Sequence, residues 1–254
     1  MLAHKHLVTE RENYSYYESN GEEYVSTVIL LPPGGADGQL LDAFIDYFPK
    51  NIRVISPDLP GRGKAPCISD NSMKNIAKWV NEFVVSMGLK DSILVGISFG
   101  GSIANEMLAQ SQGLYKRVYL IASGEYFTPV KRVIITILFY PPTVSKVCEK
   151  VWIYILHHYI PIFNFVPYDL SFDYSGLFRQ WLAIVNYKMD TRRRDGTRVG
   201  LIFLSRDTVV NPSSIEKLQA VYPNHTTHFL DMTHSLELSE SAGRQLSELM
   251  KELS

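Results

Sequence analysis

The sequence predicts an α/β protein with a mostly parallel central sheet, helices on both faces and an inserted helical cap. Three observations carry this. Short β-branched and apolar runs alternate with segments whose apolar residues recur at helical spacing. The alternation breaks over about residues 125–194, an unusually apolar and aromatic passage, and resumes at Val199. The length, 254 residues with 46% hydrophobic, can bury a sizeable core and suits one large α/β domain as well as two small ones. The division expected is a core of 1–124 and 195–254 with a cap of 125–194.

Residues His4–Thr9 and Tyr14–Glu18 read as two short strands around a polar turn, with YSYYES suited to a sheet edge. Val25–Leu31, VSTVILL, reads as the first central parallel strand. PPGGADG, residues 32–38, is a loop rich in chain breakers. Gln39–Phe48 reads as a helix, Ile52–Ser56 as a strand, and DLPGRGKAP, residues 58–66, as a loop that Asp58 closes. Ser72–Met87 reads as a helix with Ile76, Val80, Phe83 and Val84 on its apolar side and Gly88 as its stop.

Next comes DSILVGISFGGSIANEMLAQ, residues 91–110. Its start is a buried strand and its end has Ile103, Met107 and Leu108 at helical spacing. Between them GISFG turns the chain sharply with Ser98 at the tip, a G-x-S-x-G elbow in the strand-to-helix context that gives such a serine an exposed hydroxyl. Gly96 and Gly100 leave room where side chains would collide, and the helix N-terminus sets free N–H groups beside Ser98. Arg117–Ile121 is the next strand.

The interrupting passage contains VIITILFYPP, VWIYILHHYIPIFNFVPYDL and FRQWLAIVNYKM, read as two to four helices, a few of whose residues line a pocket. After the basic cluster TRRRDGTR, Val199–Leu204 is a strand with Asp207 just past its end. Ser213–Val221 is a helix, His225–Leu230 the last strand with His234 beyond it, and Leu236–Leu253 a closing helix. Ser98, Asp207, His234 and the 32–38 loop thus fall at the carboxyl ends of the strands, where such sheets hold their ligands.

Composition narrows the partners. A net charge of −1 and a pI near 6.7 argue against nucleic acid. Two distant cysteines, Cys67 and Cys148, imply no disulfide framework. The N-terminal residues lack the apolar core of a signal peptide, and no apolar run approaches a membrane span, so a soluble, cytoplasmic protein is expected. His225 and His228 read as structural, His157 and His158 as cap residues, and no motif supports a metal site.

A serine hydroxyl needs an adjacent base, usually His, and that His needs a carboxylate to fix its tautomer. The chain order Ser98, Asp207, His234 supplies the three, with Glu125 a rival for the acid. With LPPGGADG, DLPGRGKAP, LVGISFGGSIA, LSRDTVVNP and MTHSLELSE, the sequence resembles the α/β-hydrolase superfamily over essentially its whole length. The resemblance implies Ser98 as nucleophile, His234 as general base and acid, and Asp207 as the orienting acid. It implies oxyanion donors at the backbone N–H groups of Phe99 and of the 32–38 loop. There Pro33 has no N–H, so Gly34, Gly35 or Ala36 supplies the donor, and position favours Gly35. The chain departs from the family where Pro33-Gly34 replaces His-Gly, where Ala65 or Pro66 stands for a serine, and where Thr233 precedes the histidine.

The function expected is a cofactor-free serine hydrolase cleaving carboxylic esters, lactones or thioesters, with a small apolar substrate. A ligand receptor or signalling protein on the same fold, with little turnover, is the alternative. An enzyme of lipid or polymer surfaces, meeting membrane or lipid through its cap, is a third reading. Acyl specificity and oligomeric state are not legible in the residues.

Overall fold

The structure is a computed structural model. It describes residues 2–21, 23–38, 45–46, 48–111, 113–126, 132–133, 154, 174–234, 245, 248–249 and 251. Most of the expected helices at 39–48 and 236–253 and most of the 125–194 insertion, His157 and His158 included, lie outside the described residues.

Eight strands form one sheet: β1 (Leu2–Val8), β2 (Asn13–Ser19), β3 (Ser26–Leu31), β4 (Ile52–Pro57), β5 (Ser92–Ile97), β6 (Tyr115–Ile121), β7 (Val199–Arg206) and β8 (Thr226–Thr233). Their spatial order is β1-β2-β4-β3-β5-β6-β7-β8. The β1–β2 and β2–β4 pairs are antiparallel and all the others parallel. The fold is therefore the mostly parallel α/β sheet that the alternation predicts, with the N-terminal hairpin as its antiparallel edge. Between the strands lie α1 (Met73–Ser86), α2 (Phe99–Gln110), α3 (Tyr174–Asn186) and α4 (Ser213–Val221).

The central strands are buried on both faces, which is why they read as continuous apolar runs rather than as alternation. Val28 to Leu31 and Ile93 to Val95 are all buried. Helix α1 forms because Ile76, Val80, Phe83 and Val84 make one stripe that the sheet covers. Each of these buried side chains stabilises the fold by roughly 2 kcal/mol. Ser72 caps its N-terminus by accepting from the Asn75 N–H, and Gly88 at φ 69° ends it in the left-handed conformation that favours glycine.

Two carboxylates tie the N-terminal edge to the core. Buried Asp58 accepts from Ser15 Oγ at 2.5 Å, from the Lys64 N–H at 3.1 Å and from the Gly38 N–H at 3.3 Å. It thus closes its own loop, as expected, and also pins the end of the 32–38 loop. Glu18 on β2 pairs with Lys5 at 2.7 Å and Arg53 at 2.6 Å, joining β1 and β4. Burial pushes the Glu18 carboxyl up, but the hydrogen bonds and charges of Lys5 and Arg53 outweigh it and hold it below its ordinary value. A depressed folded-state value gives stability that is present above the unfolded value of about 4.3 and lost as pH falls through the folded one. Glu18→Gln is therefore expected to unfold at lower urea concentration than wild type at pH 7, and to lose less stability between pH 7 and pH 3. Equal acid sensitivity in the two proteins would remove Glu18 from the account.

Candidate active site

The site is built at the carboxyl ends of β5, β7 and β8. At the end of β5 the chain must reverse into α2 within one residue. Ser98 absorbs the turn at φ 51°, ψ −116°, a conformation costing on the order of 1–3 kcal/mol for a residue with a side chain. Surrounding structure holds it there. The Ser98 N–H donates to Ile121 O at 2.8 Å, and the Gly100 N–H donates to Pro32 O at 3.1 Å. A Cβ on Gly96 would stand 2.7 Å from Gly101 Cα, and one on Gly100 would stand 2.6 Å from Pro32 O. Both glycines are there for close backbone approach.

Asp207 and His234 each follow a strand immediately, so the sheet register sets their positions. Ser98 Oγ lies 2.8 Å from His234 Nε2, and His234 Nδ1 lies 2.9 Å from Asp207 Oδ2. The other Asp207 oxygen accepts from the N–H groups of Val209 at 2.8 Å and Val210 at 3.0 Å, a local turn that aims the carboxylate. Burial pushes the Asp207 carboxyl up, but the hydrogen bond and charge of His234 and these two N–H groups outweigh it, so the group sits below its usual value. An ionised carboxylate only accepts. The Nδ1–H of His234 therefore points at Asp207, and Nε2 presents its lone pair to the Ser98 hydroxyl. This order of groups can draw a proton from Ser98 and hold the resulting imidazolium.

Glu125, the rival acid, is elsewhere. Its carboxylate meets Lys217 Nζ at 2.8 Å and Arg132 Nη2 at 3.7 Å and accepts from the Met189 N–H at 3.1 Å. It joins the loop after β6 to α4 and to the chain after α3. His225 is structural as expected, its Nδ1 2.6 Å from Tyr222 O. Among the described residues no group of three or more His, Cys, Asp or Glu could hold a metal ion, and no helix is long and apolar enough to cross a membrane. A surface cavity of about 770 Å³ opens beside the start of α1, lined by Lys74, Glu106, Arg179 and Tyr187 among others; Ser98 is not among its lining residues.

The Gly35 N–H donates to Gln180 Oε1 at 3.2 Å. No partner among the described residues takes the N–H of Gly34 or of Phe99. The two residues are adjacent in space, because a Cβ on Gly34 would stand 3.3 Å from Phe99 Cβ.

Sequence reasoning missed Tyr126. Its ring is buried and stands edge-on to the His234 imidazole, with centroids 6.4 Å apart. Its hydroxyl is 2.8 Å from Ser102 Oγ. Burial pushes this hydroxyl above its usual value, against that hydrogen bond, so it stays a neutral donor. An isolated bridge to Val210 fixes its backbone beside the Asp207 loop. Tyr126→Phe deletes one hydroxyl and leaves Ser102 its bond to Gly124 O at 3.0 Å. It is expected to cost about 1 kcal/mol of stability and to slow reaction at Ser98 several-fold. Urea unfolding and single-turnover kinetics measure the two effects separately.

A family model described as the alpha/beta hydrolase fold matches residues 27–146. A curated relative, (E)-2-((N-methylformamido)methylene)succinate hydrolase from Acinetobacter baylyi, is 26% identical over 123 residues, 48% of this chain and 46% of the relative. The match thus spans about half the length of that enzyme. Among solved structures, MGS-M2, an alpha/beta hydrolase enzyme from a Medee basin deep-sea metagenome library, aligns with a TM-score of 0.77 at 17% identity, over 98% of this chain and 96% of that one. The enol-lactonase from Burkholderia xenovorans LB400 aligns with a TM-score of 0.71 at 14% identity, over 98% of each chain. A thermophilic esterase from Thermogutta terrifontis aligns with a TM-score of 0.71 at 14% identity, over 99% of this chain and 97% of that one. At these identities the likeness is one of fold. The chain is an α/β-hydrolase-fold protein.

Proposed function

We propose that the chain is a serine hydrolase that cleaves carboxylic esters, lactones among them, through an acyl-enzyme on Ser98. The reading rests on one observation above all: Ser98 Oγ, His234 and Asp207 form a continuous hydrogen-bonded series, 2.8 Å and 2.9 Å, at the mouth of the sheet. Hydrolase activity is supported further by the A. baylyi hydrolase, and ester or lactone chemistry by the enol-lactonase and esterase likenesses.

In this mechanism His234 Nε2 takes the Ser98 proton as Oγ attacks the ester carbonyl. Negative charge moves to the carbonyl oxygen, where the N–H groups of Phe99 and of the 32–38 loop, Gly35 by position, receive it. The helix N-terminus behind Phe99 adds a favourable partial charge. Collapse expels the alcohol, which takes its proton from the His234 imidazolium and leaves the acyl group on Oγ. Water then gives its proton to His234 and attacks the acyl carbonyl, and collapse frees the acid and returns the proton to Ser98. Asp207 holds the ring in place throughout and stays ionised. No cofactor enters. Of the 125–194 insertion, helix α3 lies against the 32–38 loop, with Gln180 on Gly35 and Ile184 beside Gly34.

The test is hydrolysis of nitrophenyl esters of graded acyl length, with a panel of lactones, by wild type and Ser98→Ala. Turnover by wild type that disappears in the variant supports the reading, and the acyl-length profile then sizes the pocket. A folded wild type silent on every ester and lactone would move the chain to the ligand-receptor reading.

A further inference from the structure

We infer that the cavity between the start of α1, the end of α2 and α3 is a second ligand site, for a small hydroxylated organic anion such as a sugar phosphate or a sugar acid. Lys74, Arg179 and Lys188 hold the anionic group, and Glu106 meets a hydroxyl. The site is separate from Ser98 and does not rest on the hydrolase reading.

The cavity, about 770 Å³, has the size that takes a small organic molecule. Its charges are not balanced. Asp70 is occupied by the Ser72 N–H at 2.8 Å and by Asn75 Nδ2 at 2.6 Å. Asp190 is occupied by Arg192 at 2.6 Å and Arg194 at 3.0 Å. Lys74, Arg179 and Lys188 are exposed and line the same cavity, and none of the three forms an ion pair among the described residues. Met73 and Lys74 open α1, so the positive end of the helix dipole faces the same space. A guanidinium fork and two ammonium groups around one concavity suit a phosphate or a carboxylate.

Glu106 adds the second requirement. It lies on α2, is only 7% exposed and lines the cavity. The Tyr187 hydroxyl donates to its Oε1 at 3.1 Å, and Oε2 takes no hydrogen bond among the described residues. Tyr187 also accepts from Asn105 Nδ2 at 2.9 Å, so the carboxyl is held in place before a ligand arrives. Burial pushes this carboxyl above its ordinary value, against the Tyr187 bond and the charge of Arg194. An ionised carboxyl only accepts, and a protonated one also donates. A hydroxyl partners either state, whereas an ammonium partners only the first. The pairing therefore selects a hydroxylated anion over an amino acid. Asn71 lines the cavity too, and the nitrogen and oxygen of its amide are buried with no hydrogen-bond partner. Buried polar groups are as a rule paired, and a ligand with several hydroxyls supplies the partners that the chain does not.

Calorimetry tests this with glucose 6-phosphate, gluconate, glucose and inorganic phosphate, on wild type, Arg179→Ala, Glu106→Leu and Ser98→Ala. Glucose 6-phosphate or gluconate is expected to bind at least about tenfold more tightly than glucose or inorganic phosphate, since only these two carry both an anionic group and hydroxyls. Whichever of the two binds more tightly names the anionic group, and either order supports the site. Arg179→Ala should weaken that binding about tenfold or more, the loss of one charged hydrogen-bonding contact. Its side chain is exposed, so the urea midpoint should stay at the wild-type value. Glu106→Leu should lose the preference for glucose 6-phosphate over inorganic phosphate, and the Arg179→Ala result carries the test if this variant does not fold. Ser98→Ala should bind as wild type does, whatever its effect on ester turnover. No binding of either hydroxylated anion, inorganic phosphate bound as tightly as glucose 6-phosphate, or an affinity unchanged in Arg179→Ala would each overturn the site. Binding abolished once a trifluoromethyl ketone occupies Ser98 would place the ligand in the active site and overturn it as well.

Discussion

Ser98→Ala is expected to lower ester turnover by about 10⁴- to 10⁶-fold while leaving the fold intact. The size follows from the chemistry. On the proposed mechanism, His234 and Asp207 act on a substrate only through the oxygen that the substitution removes, so their contribution vanishes with it. On the proposed mechanism, what remains is the pull of the oxyanion donors on the carbonyl, which a water molecule can still exploit. The fold should tolerate the change, because the Ser98 side chain caps nothing in α2 and its Oγ bonds outward to His234. Removing a side-chain oxygen does not relieve the positive φ, so the elbow stays as tight as before. Turnover on a nitrophenyl ester and the urea unfolding midpoint, measured on the same preparation, separate the two expectations.

Gly100→Ala is expected to do the reverse and damage the fold and the site together. The added Cβ would meet Leu31 O and, at 2.6 Å, Pro32 O, both backbone atoms at the end of the central strand β3. Neither can rotate away as a side chain would. Leu31 is locked in register with Gly96 on β5, and Pro32 O already accepts from the Gly100 N–H. The start of α2 must therefore move off β3, at a cost of about 3 kcal/mol or more. That movement carries the Phe99 N–H with it, and a displacement near 1 Å at a reacting centre costs about 100-fold in rate. Gly113→Ala is the matched control. Its Cβ would meet nothing within 4 Å and its φ is not positive, so both stability and turnover should stay at wild-type values. Wild-type turnover in Gly100→Ala would show that the elbow does not depend on this close approach.

Much of this arrangement was legible in the residues because it is local. The strand-to-helix turn at Ser98 is written in five consecutive residues, and the stripe of α1 in its own spacing. Asp207 and His234 could be placed because each follows an apolar strand directly, and parallel strands bring their carboxyl ends together. Boundaries were less legible: α2 begins at Phe99, ahead of the spaced residues Ile103, Met107 and Leu108, since glycines at its start hide a helix that packing enforces. What did not show were contacts between segments far apart in the chain. Gln180 reaches Gly35 across 145 positions, and no local pattern marks a glutamine in an apolar helix as a partner for a glycine N–H. Its full burial on α3 is the signal, and burial of one polar side chain appears only once the fold is assembled. Glu125, a candidate acid by its place after a strand, is claimed by Lys217 and Arg132, which the sequence does not bring near it. Tyr126 went unread because an aromatic residue beside a histidine far along the chain has no spacing rule.

The central claim is that Ser98 carries the acyl group. The most direct test is to mix the protein with a nitrophenyl ester, quench in acid within the first turnover, digest and locate the added mass by peptide sequencing. One acyl group on the hydroxyl of Ser98, absent when the ester is omitted and absent in Ser98→Ala, is the result this account predicts. Ester turnover with Ser98 unmodified, or with the acyl group on another residue, would contradict it.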